Sequence, residues 1–257
     1  MLKEAHLSIR LQGMRIREKK KIKSRLWTQR LEEVLRNPYD YESKELFLKE
    51  ASSILNAVYK SYDKYFLKFR LDKRTKEKAI WMLHLDALDT LRDCVFLLKK
   101  KKHRIVGKLF RDVTEVLDLA ALFWWECDKH QDKLRKWYDD KVIPHSEFRQ
   151  YLKRTKGESF SKTSSAMYSS LSRWTHHCYS VLLSSYSRGS KEDNALLMCD
   201  SHFRSDTLIL PQIISQYAWE IKDLILYFLS NVKMVGLVDW EPLTNHFNKT
   251  IRGIEFH

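Results

Sequence analysis

The chain has 257 residues, with 47 Lys+Arg against 33 Asp+Glu for a formal net charge of +14, and only 6 Gly and 4 Pro. Average usage would give about 18 Gly and about 13 Pro, so turn-rich architectures are excluded: a doubly wound α/β fold needs Gly at its phosphate turns, and an all-β sandwich needs turn residues throughout. With 31% charged residues and no uninterrupted apolar run of membrane length, an intrinsic membrane protein is excluded too, which leaves an all-α chain.

The first predicted helix runs from Lys3 to Arg36 and stops at Asn37-Pro38, because Pro lacks a donor and restricts the residue before it. Its middle, around Arg15, Arg17 and Lys20, is too basic for a core. Residues 1–38 are therefore read as a basic helical arm, and 39–257 as one helical body. A second helix starts after the N-cap Asp40 and carries Phe47, Ile54, Leu55, Val58, Tyr62, Tyr65 and Phe69 at helical spacing. A third spans Thr75 to Leu98. The cluster Lys99, Lys100, Lys101, Lys102, His103, Arg104 follows it. The fourth, His103 to Asp128, has the clearest apolar stripe, through Val106, Phe110, Val113 and Leu117.

A short helix holds Leu134 and Trp137, Pro144 marks a turn, and Glu147 to Lys153 form another short helix ended by Gly157. The Ser/Lys-rich stretch Glu158–Ser165 reads as a loop. A helix from Thr163 to Arg188 ends at Gly189, a good C′ residue. Residues 190–206 read as a connector, Leu208 to Val232 as a long buried helix, and Asp239 onward as a last short one. The sum is a single bundle of about seven to nine helices with a long basic N-terminal helix.

Charge is uneven along the chain. Residues 1–110 carry 28 Lys+Arg against 14 Asp+Glu, whereas residues 111–257 carry 19 of each. Clustered Lys/Arg neutralise phosphates and give salt-sensitive, sequence-independent affinity. The partner class is nucleic acid or another polyanion, with Lys100, Lys101, Lys102, Arg104, Arg15, Arg17 and Lys20 as candidate contacts. An anionic membrane surface is an alternative for the first helix alone. The bland reading is a solubilising surface. Four widely spaced cysteines without a CxxC pair, and no apolar stretch after the basic N-terminus, point to a reduced, cytoplasmic protein.

Two groups of side chains suit chemistry. Around Met167–Ser185, Arg173 and His177 are i,i+4 neighbours, while His176 shares the other side with Tyr168 and Ser172. A histidine titrates near neutrality and Arg offers a fork to phosphate oxygens, a combination suited to RNA cleavage by proton transfer. The bland alternative is that these histidines donate to Tyr or Ser hydroxyls between helices. On the fourth helix, Arg111, Glu115 and Asp118 align with Arg104 and Lys108. That row lies opposite the core stripe and reads first as a solvated salt-bridge face. Leu122, further along it, and the flanking Trp125 point instead to a covering helix. Cys127, Asp128 and His130 lack a second ligand pair, so no metal centre is read. GxxxxGK[ST], HExxH, GxSxG and GxGxxG are absent, and no cofactor is expected.

The segment from Arg111-Asp-Val-Thr-Glu115 through Trp137 to Tyr168-Ser-Ser-Leu-Ser172-Arg-Trp-Thr-His176 resembles a helical prokaryotic family of unknown function, with an Arg-x3-Glu and a later Tyr-x2-Leu-Ser-x3-His, over about residues 45–190. The resemblance implies a site at Arg111, Glu115, Tyr168, Ser172 and His176. The chain is also loosely similar to the HEPN helical ribonucleases of defence and toxin systems. Those carry Arg-x4-6-His, whereas Arg173 here is followed by His at x2 and x3. That similarity implies a metal-independent ribonuclease, RNA rather than DNA, and a site completed across a homodimer. The competing expectation is a non-catalytic binding or regulatory module whose basic N-terminal part grips nucleic acid or an acidic partner.

Overall fold

A computed structural model describes residues 23–64, 69–70, 72–126, 132–175, 186–189, 196–199 and 209–251. Amphipathic periodicity and local caps set the helices. Among the described residues there are nine: α1 (Leu31–Arg36), α2 (Tyr41–Asp63), α3 (Lys76–Lys99), α4 (His103–Glu126), α5 (Asp132–Tyr138), α6 (His145–Lys156), α7 (Glu158–Thr175), α8 (Ile209–Val235) and α9 (Trp240–Thr250). Asp40 starts α2 by accepting from Ser43 N at 3.1 Å, and Thr75 starts α3 by accepting from Lys78 N at 3.3 Å. Gly236, at φ 65°, takes the left-handed turn that ends α8. The all-α bundle expected from composition is the fold, with one small addition. Tyr186–Gly189 (β1) pairs antiparallel with Leu196–Cys199 (β2), Tyr186 opposite Cys199.

Helices α2, α3, α4 and α8 enclose the main core. Phe47, Ile54, Leu88, Phe110, Val113, Leu117, Ile225 and Phe228 are fully buried in it. One polar thread runs through this core. Tyr62 Oη lies 2.6 Å from His84 Nδ1, and His84 Nε2 lies 3.3 Å from Asn231 Oδ1. Asn231 Nδ2 in turn donates to the Leu117 carbonyl at 3.4 Å. Burial pulls the His84 ring down to about 4, against a smaller upward pull from Asn231. The neutral ring then accepts from Tyr62 and donates to Asn231, so both nitrogens are satisfied.

The basic arm differs from expectation wherever it is described. Residues 23–30 form a turn and not a helix, and only Leu31–Arg36 is helical. Leu26 and Trp27 are the cause, being 1% and 2% exposed in the core. Trp27 Nε1 donates to Glu50 at 2.8 Å and Ser24 Oγ donates to the Ser43 carbonyl at 2.6 Å. Residues 23–38 therefore belong to the body. Arg15, Arg17 and Lys20 lie outside the described residues.

Three other boundaries move. Helix α2 ends at Asp63 instead of reaching Phe69, which packs separately on Trp81 with ring centroids 5.3 Å apart. The stretch expected to be a loop, Glu158–Ser165, is the first half of α7. Gly157 at φ 95° reverses the chain after α6, so α7 packs back along α6, and Ser161 Oγ donates to the Arg149 carbonyl at 3.2 Å. Tertiary contact overrides the poor helix propensity of the serines. The helix expected to continue to Arg188 does not do so, because 186–189 is strand β1.

Helix α3 closes on a Schellman motif: Lys102 N donates to Leu97 O at 2.8 Å and Lys101 N to Leu98 O at 2.9 Å. Lys101 occupies the left-handed C′ position at φ 57°, where Gly is favoured. Lys99, Lys100, Lys101, Lys102 and Arg104 are all exposed at this α3–α4 corner.

Candidate functional site

The outer row of α4 runs Arg104, Lys108, Arg111, Glu115, Asp118 at alternating i+4 and i+3 steps, about 21 Å end to end. Exposure falls along it: Arg104 and Lys108 are exposed, Arg111 and Glu115 half-buried, Asp118 buried. The row is not a solvated face, because α7 and the start of α6 cover its second half.

Arg111 is the hub. Its Nε donates to Glu115 Oε1 at 2.7 Å, Nη2 to Tyr168 Oη at 2.6 Å and Nη1 to Thr175 Oγ1 at 3.3 Å. Tyr168 Oη closes the ring by donating to the same Glu115 oxygen at 2.7 Å. Burial pushes the Glu115 carboxyl up, but the hydrogen bonds from Tyr168 and Arg111 and the Arg111 charge outweigh it, so Glu115 sits below its ordinary value. Three residues singled out in the sequence therefore meet through one hydrogen-bonded ring.

A second pair lies against that ring. His145, the first residue of α6, places Nε2 2.6 Å from Asp118 Oδ2. Tyr227 of α8 donates to Asp118 Oδ1 at 2.5 Å. Burial drives the Asp118 carboxyl above its ordinary value despite both hydrogen bonds. The imidazole lies flat on Tyr168, with centroids 4.2 Å apart and planes 10° from parallel. Its Nδ1 is buried and has no hydrogen-bond partner among the described residues. In the tautomer with its proton on Nε2, the ring donates to Asp118 and Nδ1 carries the lone pair.

Arg111, Glu115, Tyr168 and His145 line a cleft of about 430 Å³. Val116, Leu119, Leu122 and Ile143 give the same cleft an apolar lining, and Asp112 also lines it. A half-apolar cleft of this size with a few convergent polar groups is the usual form of a small-ligand site.

No family model, curated protein or solved structure matches the chain. The site therefore rests on its own geometry.

Arg173 is exposed on α7 and makes no contact with the Arg111 ring; Ser172 is half-buried and uses its carbonyl to accept from Thr175 Oγ1 at 2.9 Å. His176 and His177 lie outside the described residues, as do Cys127, Asp128 and His130. Among the described residues no cluster of three potential metal ligands occurs, and no helix is long and apolar enough to cross a membrane. Sequence reasoning missed His145, Tyr227 and Thr175. For His145 the only available signal was its place directly after Pro144, where a helix begins.

Tyr168→Phe tests whether the ring holds α7 to α4. It removes the hydroxyl shared by Arg111 and Glu115 and leaves the stacking on His145. A loss of about 1–2 kcal/mol is expected in denaturant unfolding. An unchanged midpoint would mean that the ring carries no stability.

Proposed function

We propose that the protein is a nucleic-acid-associated helical protein that grips single-stranded RNA phosphates at the α3–α4 corner. The observation that carries this reading is Lys101 in the left-handed cap of α3, within a run of four exposed lysines. A non-glycine residue in that conformation costs about 1 kcal/mol, and Gly would close the motif without it. A cation kept there at that cost favours a role in binding over a role in folding. Arg104 and Lys108 extend the cationic track along α4 toward the cleft. The test is retention of radiolabelled RNA as salt is raised. Affinity is expected to fall steeply between 50 and 200 mM salt, about tenfold or more for several phosphate contacts. Salt-independent retention, or none at low salt, would overturn the reading.

A second reading, metal-independent RNA cleavage, is favoured by the Asp118–His145 pair beside Arg111. Once the start of α6 opens to uncover its buried Nδ1, His145 would take the ribose 2′-hydroxyl proton, and the 2′-oxygen would attack phosphorus. The P–O5′ bond would break and the 5′-oxygen would take a proton from water, with Arg111 facing the charged phosphorane. In the bland alternative the same groups only tie α4, α6, α7 and α8 together. If the cleavage reading holds, RNA incubated in chelator yields 2′,3′-cyclic phosphate ends with the native chain and at least 100-fold less with His145→Ala. Binding without cleavage would leave a binding or regulatory module.

A further inference from the structure

The most exposed aromatic side chain among the described residues stands beside the lysine corner. Phe96, in the last turn of α3, is 57% exposed, while Val95 and Leu98 on the same turn are buried. Ile105, in the first turn of α4, is 48% exposed. The run Lys99, Lys100, Lys101, Lys102 is therefore bracketed by two large apolar side chains that the core does not take up. Exposed apolar surface rimmed by charge marks an interaction site more often than a gap in packing.

Cations share the Phe96 strip. Arg92 and Lys100 are its i−4 and i+4 neighbours on α3. Lys100 Nζ lies over the Phe96 ring, 5.8 Å from its centroid. The Arg92 guanidinium lies over Tyr59 of α2, 4.7 Å from its centroid, and Tyr59 is exposed as well. Two carboxylates are nearby on α3. Asp89 is paired with Arg92 at 3.0 Å, and Asp93 is exposed; the four lysines outnumber them.

Charge decides what can cover this strip. A two-fold contact with a second copy would set the lysine run against itself, and like charges repel. A polyanion is attracted. A duplex hides the faces of its bases in the stack and offers the corner only phosphates. A single strand offers phosphates to the lysines and bare π-faces to an aromatic ring, so it alone uses both features.

We infer that Phe96 is a stacking platform for an unpaired base of single-stranded RNA, with Lys100 holding the phosphate of the same nucleotide. This rests on the phosphate grip proposed above and names what that grip recognises: an unpaired base of any identity, since every base has a π-face.

The probes are a short oligoadenylate, a duplex RNA of the same length and inorganic polyphosphate, which has phosphates and no bases. In fluorescence anisotropy with the full chain, Phe96→Ala should weaken oligoadenylate binding about tenfold. Its salt slope should stay unchanged, because no phosphate contact is lost. Duplex and polyphosphate affinities should not move. Phe96→Trp keeps a ring and should bind oligoadenylate at least as tightly as the native chain. Phe96→Leu, apolar but without a π-face, should be as weak as the alanine variant. Native affinity for oligoadenylate in Phe96→Ala or Phe96→Leu, or a loss shared equally by polyphosphate, would overturn the platform and leave the lysine grip standing. A native chain that holds neither oligoadenylate nor polyphosphate at low salt would overturn both. A Phe96-dependent affinity that ignores salt supports the platform and counts against the grip.

Discussion

Removing the three lysines of the α3–α4 corner is expected to weaken single-stranded RNA binding about 100-fold at 0.1 M salt. Each phosphate contact on a single strand contributes about 0.7 to the slope of log affinity against log salt. Three contacts give about 2, which at 0.1 M is about two decades and at 1 M vanishes. The variant is best made as Lys100→Ala, Lys101→Asn and Lys102→Ala. Lys101 sits at φ 57°, and Asn tolerates that conformation where Ala does not. All three side chains are exposed and engage no carboxylate among the described residues, so the bundle should keep its melting temperature. Fluorescence anisotropy over a salt series checks the slope as well as the affinity. A parallel displacement of the line with unchanged slope would mean that the lysines act through structure. Coincident lines for native and variant chains would place the cationic contact elsewhere.

Which parts of this were legible follows from where the physical signal lies. The α4 stripe of Val106, Phe110, Val113 and Leu117 is dictated by period, and all four are fully buried. Arg111, Glu115 and Tyr168 were also legible, as an i,i+4 pair on a row that turns apolar at Leu122. The Asp118–His145 pair joins residues 27 apart and depends on the path of the chain through Pro144, which no local pattern encodes. The basic arm misled for a related reason. Lysines and arginines around Leu26 and Trp27 hide two anchors that the core needs, and burying one Trp outweighs the helical preference of several neighbours. Glu158–Ser165 was misread because serine propensity is a weak prior and α6 supplies the contacts that decide it.

Glu220→Gln is expected to stabilise the fold at pH 8 by up to about 3 kcal/mol and to have no effect near pH 4. Burial, reinforced by Asp223 and opposed by Lys222, raises the Glu220 carboxyl from 4.5 to about 7. Above pH 7 the folded state therefore carries a charge it disfavours. As pH falls from about 7 to 4.5 the folded state takes up a proton that the unfolded state does not, and stability rises. A gap of 2.5 units corresponds to about 3.4 kcal/mol. His84 acts in the opposite sense. Its folded value of about 4 lies below the ordinary 6.5, so the unfolded state takes the proton first. Stability is then lost as pH falls from about 6.5 to about 4. In the native chain the two slopes oppose each other over most of the same window, and unfolding should be nearly flat there. Glu220→Gln removes only the rising contribution. Its stability should therefore fall by about 3 kcal/mol between pH 6.5 and 4, read by urea denaturation at each pH. The His84 ring resonances in NMR should stay at their neutral positions until about pH 4. A native curve as steep as that of the variant would remove Glu220 from the balance, and a His84 ring that titrates near 6.5 would remove the buried histidine from it.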